Sequence, residues 1–339
     1  MSEHFSPPRR GRPSRDVVYQ RLDGQIAELW QRLGGLPDPL EATDIWRNIW
    51  YEEAHHSTAL EGNTLVLKQV EALLAEGRAV GDKALAEYME VKGYADAADW
   101  VYHQASTQQA STDRGLLTLT ELRNVHQMAM TPVWDVAPDP GATPEEAPGS
   151  FRRHDIEPFP GGMRPPSWVL VPAEIDAWLD EVNLLRPRAA RFPERLAQLH
   201  AAFERTHPFL DGNGRTGRLV MNLLLVRLGY PPVVVYKRDR NTYLQALRRA
   251  DDGDPGALGE LLARSILDNL YRFVVPAVAG PARLVPLAAL AHAGITADAL
   301  RTAAIRGRLQ ATRGPDGQWR SSRRWVDAYL ASRYVRGSL

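Results

Sequence analysis

The residues with the clearest chemical potential are the twelve from His207 to Arg218, which read His207-Pro208-Phe209-Leu210-Asp211-Gly212-Asn213-Gly214-Arg215-Thr216-Gly217-Arg218. Gly212, Asn213 and Gly214 put pliable backbone just ahead of a helix start. There the unpaired N–H groups and the positive end of the helix dipole attract an anion. Arg215 and Arg218 are three residues apart, so one helical face can aim both guanidinium groups at phosphate oxygens. Asp211, beside that loop, suits a magnesium ion, which takes few carboxylates and fills its shell with water and phosphate. His207, at the loop entrance, can accept a proton near neutral pH. Singly, each has an ordinary explanation: a structural histidine, a glycine turn, solvated arginines. Together they equip a site for in-line attack on a nucleotide phosphate.

Elements must hold these groups in place, and most of the chain reads as helix. Apolar residues recur at helical spacing in Val17–Leu33, Val66–Leu74, Leu85–Val101, Ile175–Leu185, Leu196–Phe203 and Leu219–Leu228. The spacing thus predicts one helix ending near Thr206 and another running from about Arg215 to Leu228, with Gly229 as its stop and Pro231-Pro232 beyond. The exception lies between Ala137 and Pro172, where Pro138, Pro140, Pro144, Pro148, Pro158, Pro160, Pro165 and Pro166 forbid a regular helix. A long loop inside a compact domain is usually functional, and the extended pieces near Phe151–Ile156 and Trp168–Val171 predict a hairpin-like flap.

Composition narrows the class. The 339 residues include no cysteine, which removes disulfides, thiolate nucleophiles and cysteine-bound zinc, and fits a reducing compartment. No apolar run is long enough to cross a bilayer, and the basic, proline-rich start is no signal peptide, so a soluble cytoplasmic protein with no membrane partner is expected. The formal net charge is zero by cancellation: residues 281–339 carry ten arginines against three aspartates, and the body before them is correspondingly acidic. Such asymmetry suggests that the tail meets something the body does not, nucleic acid being one candidate and a solvated basic face another.

The stretch from His207 to Arg218 resembles the signature of the Fic family, His-Pro-Phe-x-Asp/Glu-Gly-Asn-Gly-Arg-x-x-Arg, at every specified position. The similarity reaches outward over about Leu85–Phe273. Leu119–Met130, with His126 in a Leu-x-x-x-His pattern, looks like the helix preceding the motif. Gly149-Ser150-Phe151-Arg152 and Pro165-Pro166 look like the family's flap, and Arg240-x-x-Tyr243-x-x-Ala246-Leu247 like the helix that closes the adenine pocket. The resemblance implies a mostly α fold, a Fic-type helical bundle with a β-hairpin flap. It implies that His207 deprotonates a target hydroxyl and that Asp211 holds Mg²⁺. Gly212, Asn213 and Gly214 would bind the inner phosphates of ATP, Arg215 and Arg218 the outer ones, Phe209 would anchor the loop, and Tyr243 would line the nucleotide site. In the related death-on-curing toxins a lysine replaces the second glycine; here that position is Gly214, which favours transfer of AMP to a protein hydroxyl, on a separate target or on the chain itself.

Upstream, Ser57-Thr58-Ala59-Leu60-Glu61-Gly62-Asn63 reads by itself as a helix end with Gly62 and Asn63 as caps. It resembles the Fic inhibitory motif Ser/Thr-x-x-x-Glu-Gly/Asn, which implies that Glu61 pairs with Arg218 and that Ser57 belongs to the same brake. A carboxylate on that arginine competes with the γ-phosphate. Some glutamate-inhibited relatives remove AMP from proteins with the same residues, so deAMPylation is an alternative, as is a nucleotide-sensing DNA-binding regulator.

In the tail, Leu287–Gly294 reads as a helix, Thr296 as the N-cap of a second one reaching Arg306-Gly307, Gly314–Gly317 as a turn between extended pieces, and Trp325–Ser332 as a last helix. This resembles the winged helix-turn-helix of excisionase- and MerR-type regulators, which implies Thr296–Ile305 in a major groove, with Arg301 toward bases or phosphates and the wing arginines on the backbone. A protein-docking module on the same scaffold is the alternative. Arg9-Arg10-Gly11-Arg12-Pro13 has the look of an AT-hook, against a plain disordered basic arm. The expected organisation is an arm at 1–15, a helical region with the inhibitory helix at 16–80, a catalytic core at 81–278 and the winged-helix-like domain at 281–339, with self-association into a homodimer left open.

Overall fold

The computed structural model describes residues 13–39, 42–108, 115–158, 163–314 and 316–334; the basic run Arg9–Arg12 lies outside them. Its elements in order are α1 (Arg15–Arg32), α2 (Thr43–Leu60), α3 (Leu67–Glu76), α4 (Leu85–Gln108), α5 (Leu119–Trp134), α6 (Val171–Asn183), α7 (Phe192–Thr206), α8 (Asn213–Arg227), α9 (Arg240–Asp251) and α10 (Gly256–Asn269). Helix α10 runs on through a π turn, Leu270–Val274, into α11 (Val275–Val278). The last segment holds β1 (Val285–Pro286), α12 (Ala297–Ile305), β2 (Thr312–Arg313), β3 (Trp319–Ser321) and α13 (Arg323–Tyr334). None of the described helices is long and apolar enough to cross a membrane.

Helix α8 is the centre of the molecule. From Arg215 to Val226 every residue is buried, the pattern of a helix wrapped on all sides rather than amphipathic. Helices α4, α5, α7 and α2 surround it. The α4–α5 contact is close because Gly93 has no side chain: a Cβ there would run into the Ala129 carbonyl. Thr118 and Glu121 start α5 with a reciprocal capping box, Glu121 N–H to Thr118 Oγ1 at 3.2 Å and Thr118 N–H to Glu121 Oε2 at 2.9 Å.

One polar knot ties α2 into this core. Glu53, 2% exposed, accepts from Tyr94 Oη at 2.8 Å, Tyr102 Oη at 2.6 Å and Asn222 Nδ2 at 2.8 Å. Burial pushes its carboxyl above the ordinary value despite those three donors. Asn222 also exchanges bonds with the Val233 backbone, so the knot spans α2, α4, α8 and the Pro231–Val235 segment.

Two expectations need correction. No strand pairing occurs among the described residues between Ala137 and Pro172; the flap holds two short 3₁₀ turns, Pro144–Glu146 and Trp168–Leu170, and no β-hairpin. Its backbone is claimed by side chains instead, as described below, and its prolines supply no ladder donors. Leu287–Gly294 is not a helix throughout. A 3₁₀ turn covers Leu287–Leu290, and the chain then bends through a bridge between His292 and Ile295, because the buried Leu287, Ala289 and Leu290 face the sheet and Gly294 breaks any continuation. The sheet is antiparallel, in the order β1-β3-β2, with Val285 opposite Ser321 and Thr312 opposite Arg320.

Candidate functional site

The loop between α7 and α8 is shaped by its own residues. His207 ends α7 in the left-handed region at φ 46°, and Gly212 precedes α8 at φ 76°, where a glycine costs least. Asn213 locks the turn from within: its Oδ1 accepts the Phe209 N–H at 2.9 Å and its Nδ2 donates to the Phe209 carbonyl at 2.8 Å. Its side chain is therefore committed to the loop, which leaves its backbone for a ligand. No side chain caps α8, so the N–H groups of its first turn are presented outward.

Phe209 is fully buried and stacks on His126 at 3.7 Å between ring centroids. His126 Nδ1 accepts the Gly149 N–H at 2.8 Å, so the proton must sit on Nε2, which donates to the Asp211 carbonyl at 2.9 Å. Burial lowers this imidazole to about 4, which keeps it neutral and in that tautomer. One histidine thereby couples the flap to the loop.

His207 is 9% exposed. Its Nδ1 lies 3.1 Å from the Glu204 carbonyl, which can only accept, so Nδ1 carries the proton and Nε2 is the basic nitrogen. Burial, chiefly, lowers its pKa, so the ring is neutral at neutral pH and able to take a proton. Its own carbonyl accepts from Arg152 Nε at 2.9 Å. The Arg152 side chain is wholly buried and also donates to the carbonyls of His154 at 3.1 Å and Pro166 at 2.5 Å. Three carbonyls on one guanidinium fasten both ends of the flap to the histidine turn.

Asp211 Oδ1 accepts its neighbour Gly212 N–H at 2.6 Å and Oδ2 accepts from Arg215 Nη2 at 2.9 Å. Burial acts to raise its pKa, but Arg215 and that N–H outweigh it and hold the carboxyl below the usual range. The side chain is 60% exposed, open to an ion. Arg215 also binds Glu90 of α4 at 2.8 Å. Arg218 points the other way, toward α2. Its Nε donates to Ser57 Oγ at 2.7 Å, and its Nη2 to the Ser57 carbonyl at 3.1 Å and to Glu61 Oε1 at 2.6 Å. Burial works against both ionised partners, yet each holds the other charged: Glu61 below its ordinary value, Arg218 above.

The structure thus gathers His207, Asp211, Gly212, Asn213, Gly214, Arg215, Arg218, Ser57 and Glu61 into one locality. Tyr243 stands behind it, 2% exposed, its hydroxyl 2.7 Å from His200 Nε2, bracing α9 against α7. Arg301 lies on α12 in the tail, outside this locality. Residues the sequence did not single out for a role are Glu90, Glu204 and Arg240. Arg240 Nε donates to the Leu60 carbonyl at 2.8 Å and so satisfies the end of α2. Glu204 is buried one turn before His207; burial pushes its carboxyl up to about 7, against the pull of Arg218. Its Oε1 has no hydrogen-bond partner among the described residues, and no local motif announces it.

A helical bundle carrying an anion loop, a neutral histidine and a carboxylate-capped arginine defines the class: residues 116–225 match the Fic/DOC family, and the chain contains a domain of that family. Relatives include proteins named protein adenylyltransferase Fic from Drosophila erecta, 32% identical over 61% of this chain and 38% of that protein, and from Drosophila mojavensis, 32% identical over 70% of this chain and 45% of that one. The chain thus spans less than half the length of these relatives. Among solved structures, a Fic domain containing signaling protein from Bacteroides thetaiotaomicron is similar with a TM-score of 0.59 and 25% identity, over 74% of this chain and 95% of that one. A Fic family protein from Desulfovibrio desulfuricans shares the fold over 94% of this chain and 98% of its own, with a TM-score of 0.52 and 19% identity.

Proposed function

We propose that the protein transfers AMP from ATP to a hydroxyl side chain of a protein, a separate target or itself, and that Glu61 restrains it. The observation that carries this reading is the placement of a neutral His207, an uncapped α8 N-terminus and the Glu61–Arg218 pair around one short loop.

In the proposed reaction His207 Nε2 takes the proton of the target hydroxyl as its oxygen attacks the α-phosphorus. The bond from that phosphorus to the bridging oxygen breaks, and pyrophosphate leaves with the electron pair. The first-turn N–H groups at Gly212, Asn213 and Gly214 hold phosphate oxygens, while Arg215 and Arg218 carry the charge of the outer phosphates. Asp211 fits a magnesium ion: it is a single, half-exposed carboxylate beside a phosphate cradle, and such an ion needs one or two carboxylates and completes its shell with phosphate and water. When bound, the ion would neutralise phosphate charge. Restraint follows from competition, because Arg218 cannot serve Glu61 and a γ-phosphate in the same geometry.

Labelled-ATP incorporation tests the reading. The Glu61→Gly protein, incubated with ATP labelled at the α-phosphate and Mg²⁺, is expected to label itself or a lysate protein. Label that appears only from the γ-phosphate would overturn nucleotidyl transfer in favour of phosphorylation.

A further inference from the structure

We infer that the tail binds duplex nucleic acid through the outward face of α12 and the arginines that follow it, an activity separate from the nucleotide site. The first observation is how the arginines are distributed by partner. Around the loop, Arg152, Arg215, Arg218 and Arg227 are all buried or nearly so and all engaged by carbonyls or carboxylates. Among the described residues of 281–334 only Arg320 is ion-paired. Arg301, Arg306, Arg308, Arg313, Arg323 and Arg324 are exposed and have no carboxylate partner.

The second observation is the face of α12. Leu300, Ala303 and Ala304 are buried against the rest of the tail. Asp298, Arg301, Thr302 and Ile305 fall at helical spacing on the opposite side, all exposed, Ile305 at 61%. Thr296 caps the start of the helix through its Oγ1, which accepts the Ala299 N–H at 3.2 Å, so the face is presented by a well-ended helix. Beyond its end come Arg306 and Arg308. An isolated helix with a guanidinium, a hydroxyl and an aliphatic tip outward fits a major groove, where arginine reads guanine and methyl groups meet thymine. The outward face carries no aromatic ring, which is what single-stranded nucleic acid would need for stacking.

The third observation changes the role of the wing. Arg320 binds Glu28 of α1 in both positions, Nη1 to Oε1 at 2.7 Å and Nη2 to Oε2 at 2.8 Å. Gln25 of α1 reaches Asp316 at 3.4 Å. Those contacts spend the wing on the body, so Arg320 is unavailable for phosphate, and backbone contacts fall to Arg306, Arg308 and Arg313.

The experiment is fluorescence anisotropy of a labelled random-sequence duplex of about two helical turns with the full-length protein, between 50 and 200 mM salt. Wild type is expected to bind at low salt, with affinity falling steeply as salt rises. Arg301→Ala/Arg306→Ala/Arg308→Ala is expected to weaken binding about tenfold or more and to flatten the log–log salt slope by about three, one per lost phosphate contact. Its melting curve should match wild type, since all three side chains are exposed; if it does not, Arg301→Ala alone is the comparison, with a slope change of about one. A polyglutamate peptide of equal charge serves as the competing partner class. No anisotropy change at 50 mM salt, a triple variant that binds like wild type, or polyglutamate binding as tightly in place of the duplex would each overturn the assignment, the last in favour of an acidic protein.

Discussion

Arg218 and Arg301 are the same residue type put to opposite uses. Arg218 is buried, and Ser57 and Glu61 engage its guanidinium. Arg301 is exposed on α12 with no carboxylate beside it. A buried charge must be matched in place, so its partner fixes a geometry and can be displaced only by something of equal chemistry. An exposed charge fixes nothing, but its field reaches about a Debye length into solvent. The body therefore offers short-range recognition, sensitive to single atoms; the tail offers long-range attraction, sensitive to salt.

Four changes sharpen that contrast, and the largest effect is at the base. His207→Ala is expected to lower transfer by at least about a hundredfold, with ATP affinity nearly unchanged, measured by labelled incorporation beside equilibrium binding. Turnover at the wild-type rate would remove His207 from the mechanism. Next is the brake. Glu61→Gly frees Arg218 of a charged contact worth about 1.5–3 kcal/mol. The Glu61 side chain is 37% exposed, so solvent screening points to the lower end, about a tenfold rise in automodification. Arg218→Ala should not mimic it, and the double variant should be as poor as Arg218→Ala alone; unchanged incorporation by Glu61→Gly would reduce the glutamate to a helix-end residue.

Glu204 gives a pH test of the buried region. Its folded pKa, about 7, is raised above the 4.5 of a free glutamate. Its stability contribution is therefore complete below about pH 4.5 and is lost as pH rises through 7, by up to about 3 kcal/mol. Glu204→Gln, which keeps the shape without the charge, should gain stability over wild type between pH 5 and 8 in chemical denaturation, and a constant difference across that range would refute the shift. The smallest effect is expected at the seam between the regions. Glu28→Gln leaves the charge of Arg320 without its bidentate partner, which should cost about 1–2 kcal/mol. That is a few degrees in the melting curve, with no change in labelled incorporation by the Glu61→Gly background. A loss of activity there would mean that the tail acts on the site.

Legibility followed chain distance. The loop from His207 to Arg218 was readable because its phosphate cradle, base and arginines are neighbours in sequence, and α5–α9 followed from apolar spacing and capping. Glu61 was readable only by resemblance, since its partner lies 157 residues away. Arg152 was part of a flap pattern, but its clamp on three carbonyls depends on where Pro166 and the histidine turn return in space. Glu53 and Asn222 sit 169 residues apart with nothing local to mark them. The expected hairpin failed for a related reason: proline density reports where helix is excluded, not whether a second strand arrives to pair.

Gly214 carries a last consequence, for the order in which substitutions can accumulate. A Cβ on this residue would stand 2.5 Å from Glu61 Oε1 and 3.0 Å from Arg218 Nη1. Both obstacles are tips of flexible side chains rather than backbone, so the fold can accept a methyl group there by moving them aside. What gives way first is the contact between the two. Position 214 and the inhibitory glutamate are therefore one heritable unit: a lineage that enlarges the glycine releases its restraint in the same step, and one that keeps the restraint is confined to glycine.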